Sequence, residues 1–223
     1  MTWWPSTPEE LIELQLELAA SSPEPWPPAA DARLGGCFVC FVRGEHGPGR
    51  RGDAAWAAAS VADEAVVVRG VAGAPYEAGL LALREGALLS QAVEALRARP
   101  DVLLVDATGR DHPRRAGLAV HLGAALELPT VGVTHRPLLA SGAWPPDERG
   151  AASPLLVRGE QVGAWVRTRP GTRPLAVHAA WRTDADAAVE IVRMATGRTR
   201  TPTPLRAARH AAREARAADA SPS

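Results

Sequence analysis

The stretch that decides the fold runs from Pro75 to Leu139, PYEAGLLALREGALLSQAVEALRARPDVLLVDATGRDHPRRAGLAVHLGAALELPTVGVTHRPLL. Leu80, Leu81, Leu88, Ala92 and Leu96 recur at helical spacing, which predicts a helix from Glu77 to Arg99 that Pro100 stops. Val102 to Val105 is wholly apolar, as a strand covered on both faces requires. It runs into Asp106-Ala107-Thr108-Gly109, and open α/β sheets place their ligands just beyond the carboxyl end of such a strand. A second helix, Pro113 to Glu127, and a second buried strand, Pro129 to Val133, follow. This alternation predicts an α/β protein with a mixed sheet flanked by helices.

Upstream, Leu34 to Val42 is another continuous apolar run, and Ala54 to Ala62 and Glu64 to Val71 read as two further strands joined at Asp63. The loop between the first two, Gly44 to Asp53, is basic at its tip. Further upstream, Thr7 before Pro8, Glu9 and Glu10 is a helix start: a hydroxyl cap, proline at the first helical position and acids in the first turn. That helix should end near Ala20, and the Pro/Ser-rich segment Ser21 to Ala32 is expected to detach it from the core as a linker.

Downstream, a Gly/Pro loop with Trp144 leads to a hairpin, Pro154 to Val157 and Val162 to Thr168, then a strand from Pro174 to Val177 and a helix from Thr183 to Thr196. Leu205 to Ala218 reads as an Ala/Arg helix with charge around much of its circumference, followed by a few disordered residues; its arginines could bind nucleic acid, but Glu214 and Asp219 dilute them and a solvated helix is expected. The expected organisation is therefore an N-terminal helix and linker (1–32), the main domain (33–204) and a C-terminal helix and tail (205–223).

The 223 residues balance 25 basic against 25 acidic side chains, and every fixed cation is an arginine. With no global basic field, any nucleic-acid contact must come from a local patch. Cys37 and Cys40 cannot build a disulfide framework; three apart on a strand they point to opposite faces and read as small buried hydrophobes. No apolar run approaches the roughly 20 residues of a membrane span, and no leader opens the chain, so a soluble cytoplasmic protein without membrane association is expected.

Pro75-Tyr76-Glu77-Ala78-Gly79-Leu80-Leu81, Arg84-Glu85, Val105-Asp106, His112-Pro113-Arg114-Arg115 and Thr130-Val131-Gly132-Val133 together resemble the endonuclease V family. The likeness is close through the middle third and extends from about Leu34 to Pro204. It implies a ribonuclease H-like fold, in which the first and fourth strands lie parallel and adjacent. It also implies metal-dependent cleavage, on the 3′ side of deaminated purines such as deoxyinosine, in DNA and in some members RNA. The implied cofactor is magnesium, with manganese as the alternative; a hard dication activates water and stabilises the phosphoryl transition state, hence clustered acids.

On this resemblance Glu85 and Asp106 are two of three catalytic, metal-holding acids. Phe38 stands where the third, a first-strand aspartate, belongs, and a phenyl ring cannot ligate magnesium. Trp181 stands in place of a late histidine that helps to orient or activate the attacking water. Tyr76 matches the wedge that enters the duplex, and Gly79, Leu81 and Gly109 match the base pocket, where Ala107 replaces a glycine. His135 replaces a phosphate-binding lysine, beside Arg136. The resemblance thus implies an endonuclease weakened at two positions, or a relative that binds nucleic acid or protein without cutting.

The residues also admit plainer readings. Glu85 could pair with Arg84 or Arg97 on a helix surface, and Asp106 could cap a loop. His112, Arg114 and Arg115 could form only a helix entrance; two arginines there oppose the helix dipole, which favours a phosphate contact. His121 reads as a core or surface histidine. Asp184 and Asp186 are candidate substitutes for the missing acid, with helix capping the simpler role.

Overall fold

The chain builds its sheet from the middle outward. β1 (Leu34–Phe41) pairs antiparallel with β2 (Ala54–Val61), and β2 with β3 (Glu64–Val71). On its other side β1 lies parallel to β4 (Val102–Val105), with Cys37 opposite Val105, and β4 lies parallel to β5 (Thr130–Thr134). β6 (Ala152–Val157), β7 (Glu160–Val166) and β8 (Leu175–Ala179) complete the sheet antiparallel, in the order β3-β2-β1-β4-β5-β8-β7-β6. The computed structural model describes residues 3–21, 23–42 and 49–220. Residues 44–48 of the expected loop and the last three residues lie outside these.

Strand alternation divides the core into two layers. Leu103 and Val105 of β4 face a cluster containing leucines of α1 (Pro8–Ala20), α2 (Ala87–Glu94) and α3 (Leu118–Leu126). Val102 and Leu104 face the other side, with Ile191 and Val192 of α4 (Ala185–Ala195) and Leu205 of α5 (Thr203–Ala220). This two-sided burial is why β4 carries no polar residue until Asp106.

The expectation that α1 is detached is wrong. Thr7 caps it, accepting from the Glu10 N–H at 3.3 Å, but Leu11, Leu14 and Leu18 are buried in the main core. Trp4 stacks on buried His121 with ring centroids 4.8 Å apart. Burying three leucines contributes roughly 2 kcal/mol each, more than enough to hold a 13-residue helix that a proline-rich linker leaves free to dock.

α5 is likewise no solvated tail. Leu205, Ala208 and Ala212 are buried, the two alanines against Cys40, Trp56 and Ala58 of β1 and β2. Gly36 permits the approach: a Cβ there would lie 2.6 Å from the Leu205 nitrogen. At the far end Asp219 accepts from Trp56 Nε1 at 2.8 Å and from Arg69 Nε at 2.7 Å. Residues before 33 and after 204 therefore contribute to the same core.

Two helix starts also differ from the periodicity. A π-helical turn, Ala82–Gly86, precedes α2, and the Arg84 carbonyl accepts from the Gly73 N–H at 2.9 Å, a donor outside the helix. α3 begins at Leu118 and not at Pro113, because Arg115 takes a left-handed conformation (φ 57°) that no α-helix continues through.

Candidate functional site

Asp106 leaves the end of β4 and Glu85 projects from the π-helical turn, and both line a cavity of about 350 Å³ with Cys37, Phe38, Phe41, Tyr76, Leu81 and Arg84. A second cavity, of about 190 Å³, shares Tyr76, Leu81 and Asp106 with the first and continues over Gly79, Ala107, Thr108, His112, Leu118 and Leu138. The fold therefore brings both expected acids, the tyrosine expected as a wedge and most of the expected pocket residues to one cleft. A larger groove of about 710 Å³ runs along α1 beside Glu10, Glu13 and Glu17 and touches neither acid.

Glu85 is buried, and its carboxyl is pushed up to about 8, first by desolvation and then by Asp106, with Arg84 opposing. Arg84 is itself committed elsewhere: its guanidinium lies 4.0 Å from the Phe41 ring centroid and donates to the Ala74 carbonyl at 2.8 Å and to Asp53 at 3.2 Å. Asp106 Oδ2 accepts from Arg209 Nη2 of α5 at 2.9 Å. The Arg209 guanidinium in turn sits 5.2 Å from the Phe38 ring centroid, and that of Arg213 5.6 Å.

Two adjacent β1 residues of the cleft lie on opposite faces of the strand. Phe38 packs on the α5 side beneath two arginines, while Cys37 belongs to the α1–α3 core. Burial, then Glu85, then Asp106 all push the Cys37 thiol up, so it stays protonated. Neither Cys37 nor Arg209 was singled out as a site residue by sequence; a lone arginine in an Ala/Arg helix carries no signal for the acid it will meet.

The floor of the second cavity is set by Gly79, whose positive φ (84°) turns its carbonyl toward three donors. Gln15 Nε2 donates at 3.1 Å, Arg114 Nη2 at 2.9 Å and His112 Nε2 at 3.1 Å. His112 Nδ1 accepts from the Arg114 N–H, so the ring is neutral, and burial holds it down to about 4. Arg115 donates to Glu160 at 2.7 Å and to the Val157 carbonyl. Contrary to the helix-entrance expectation, this turn does not open a helix, and both arginines are engaged within the chain. Gly109 is structural in a different way: a Cβ there would meet the Ala179 carbonyl at 2.1 Å.

The opposite wall depends on Asp111, which sequence reasoning passed over. Its buried carboxylate accepts from the N–H groups of Leu138, Leu139 and Ala140 at 2.7, 2.8 and 2.8 Å, holding Leu138 in the wall. Buried His178 lies 3.6 Å from Asp111 and bonds Thr134 Oγ1 at 2.8 Å.

His135 is exposed and accepts at Nδ1 from Arg200 Nη1 at 3.0 Å. Partial burial, then Arg200 and Arg209, hold it below its ordinary value, and Arg173 acts in the same direction. Arg200, Arg209 and Arg173 thus form a cationic margin around His135 near Asp106, and the neighbouring Arg136 is exposed. Trp181 is not part of the cleft. It follows β8, antiparallel to β5, and its N–H donates to Thr130 Oγ1 at the end of β5 remote from Asp106. Asp184 caps α4 through the Ala187 N–H, and Asp186 lines a separate groove, so neither reaches the acids.

Magnesium requires several hard oxygen ligands in near-octahedral array. Among the described residues no group of three or more His, Cys, Asp or Glu is placed to hold a metal. The cleft supplies one carboxyl that burial favours as the neutral acid, one carboxylate paired with Arg209, a phenyl ring and a protonated thiol. This donor set does not fit magnesium.

Parallel β1, β4 and β5 between antiparallel wings, with acids at the carboxyl end of β4 and on the adjacent helix, define a ribonuclease H-like α/β protein with an acidic cleft. The endonuclease V family model matches residues 48–210. The chain is 37% identical over 206 residues to an endonuclease V of Roseiflexus sp., covering 83% of this chain and 92% of that one. The crystal structure of endonuclease V from Streptomyces avermitilis superposes with a TM-score of 0.84 at 35% identity, covering 98% of this chain and 96% of that one. The Ciona intestinalis enzyme, solved with a DNA 23mer containing an inosine followed by a ribo-adenosine, has the same fold (TM-score 0.76, 21% identity, 94% and 98% covered). The chain belongs to the endonuclease V family.

Proposed function

We propose that this protein recognises a deaminated purine such as inosine in DNA, or in RNA, as part of cytoplasmic nucleic-acid repair, and that its cleavage of the 3′ phosphodiester is slowed by orders of magnitude. The observation carrying the recognition half is the pair of joined cavities with Tyr76 between them. Tyr76 is 50% exposed, so its ring is available to replace the stacking that an extruded base loses. The adjoining pocket offers Gln15, Thr108 and Thr134 as polar partners among apolar walls, the mixture a base edge and face require.

The slowed cleavage is supported by Phe38 on β1 and by the departure of the cleft's donors from a magnesium site. Removing one positioned catalytic group commonly costs about 10² to 10⁴ in rate. The second reading, a relative that binds without cutting, is favoured by one observation: Arg209 occupies the carboxylate that would hold a metal.

The test is a nicking and binding assay on inosine-containing duplex and single strands with magnesium or manganese, beside Phe38→Asp. Tighter binding of inosine than of guanosine strands with slow nicking is expected. Efficient nicking that Asp106→Ala abolishes would overturn the slowed-cleavage reading. Absence of both binding and nicking would overturn recognition itself.

A further inference from the structure

We propose that Arg209 takes the place of a divalent cation in this cleft, so that the site holds a nucleic-acid phosphodiester with fixed guanidinium charge and without metal. The inference rests on the second reading above, binding without cutting, and specifies how the backbone is bound.

Arg209 stands where the acids meet the first strand: Nη2 is 2.9 Å from Asp106 Oδ2, and the guanidinium lies over the ring of Phe38. The two features support each other. A phenyl face attracts a cation and repels the carboxylate that a metal would need there, and the guanidinium neutralises Asp106 without an ion. A dication approaching Asp106 would have to displace a like charge held by that carboxylate and ring, with few oxygen ligands in return.

The guanidinium also has donor capacity that the folded chain leaves unused. Its Nε is buried with no hydrogen-bond partner, although a guanidinium carries five N–H donors in a planar fork matched to phosphate. Further cations continue on both sides. Arg213 covers the same Phe38 ring, and Arg200 and Arg173 lie close enough to His135 to hold its proton affinity down together with Arg209. A phosphate entering between α5 and the segment after β5 would therefore meet Arg209, Arg200 and His135 at the edge of the base cavity.

The first arm titrates Mn²⁺ into the full chain without nucleic acid and follows free Mn²⁺ by electron paramagnetic resonance. The expected result is no site whose occupancy changes on Asp106→Asn. One bound equivalent that Asp106→Asn abolishes overturns the proposal, whatever the protein does with inosine.

The second arm measures anisotropy of a labelled inosine-containing duplex. Affinity should be the same within about twofold in EDTA and in magnesium, should fall roughly tenfold in Arg209→Gln, and should be partly restored in Arg209→Lys. An Arg209→Gln chain that keeps its circular dichroism and its affinity, or a wild-type affinity that collapses in EDTA, refutes the assignment. Failure of the recognition reading would be seen separately, as equal affinity for inosine and guanosine strands.

Discussion

Replacing Asp111 by alanine tests how the cavity proposed to receive the base is kept in shape. Its carboxylate is fully buried and accepts three backbone N–H groups, those of Leu138, Leu139 and Ala140. A hydrogen bond to an ionised group contributes roughly 1.5–3 kcal/mol, so leaving all three donors without a partner would cost on the order of 5 kcal/mol. The alternative is for the loop to swing out and let water satisfy the donors. That gives up the burial of one small side chain, Ala140, worth about 1 kcal/mol, since Leu138 and Leu139 are already exposed.

Opening is the cheaper response, so the Asp111→Ala chain should stay folded with the loop released. Urea denaturation should show a loss of about 1–3 kcal/mol, and amide exchange at 138–140 should quicken by roughly 10²-fold. Preference for inosine over guanosine strands should shrink, because Leu138 leaves the pocket wall. Salt-sensitive binding to any duplex should persist, because the arginines of α5 are untouched. Unchanged exchange at 138–140 would show that these three bonds do not hold the loop, and the reasoning would fail.

Acid should weaken the fold through its buried histidines. His178 is held from 6.5 down to about 4 by burial, with Asp111 opposing, so between those values the unfolded chain binds the proton and the native chain does not. Its contribution is complete above pH 6.5, is lost as pH falls toward 4, and totals on the order of 3 kcal/mol; His112 acts with the same sign. A urea midpoint that does not move between about pH 7 and pH 4.5 would contradict this. Gly36→Ala should displace the start of α5, cost about 2 kcal/mol or more, and loosen the contact of Arg209 with Asp106, readable as reduced salt sensitivity of the melting temperature. Tyr76→Ala should reduce inosine-duplex affinity by about 10-fold while leaving thermal stability within roughly 0.5 kcal/mol of wild type, since the ring is half exposed; unchanged affinity would remove it from the recognition surface.

Much of the architecture was legible because its signals are local. The apolar run Val102–Val105 ending in an acid, the Thr7–Pro8 helix start and the hairpin around Arg158-Gly159 each announce themselves within a few residues, and each stands where expected. Helix starts were less legible. Pro113 suits a first helical turn, but the left-handed Arg115 and the contacts of His112 and Arg114 with Gly79 hold that segment as a loop. The expectation of a detached α1 and a solvated α5 failed because periodicity marks an apolar stripe without naming the surface that will bury it.

By itself, the sequence determined the order of strands and helices, the family, and the pairing of Glu85 and Asp106 with Tyr76 in one region, since each depends on residue types at fixed spacing. Only the tertiary structure decided what surrounds those acids: Cys37 and Phe38 on opposite faces of β1, Trp181 at the far end of β5, and Arg209, 103 residues after Asp106, closing onto its carboxylate. The reason is physical. Coulomb attraction and cation–π contact act through space, and the chain brings those partners together only once α5 has buried its alanines against β1 and β2.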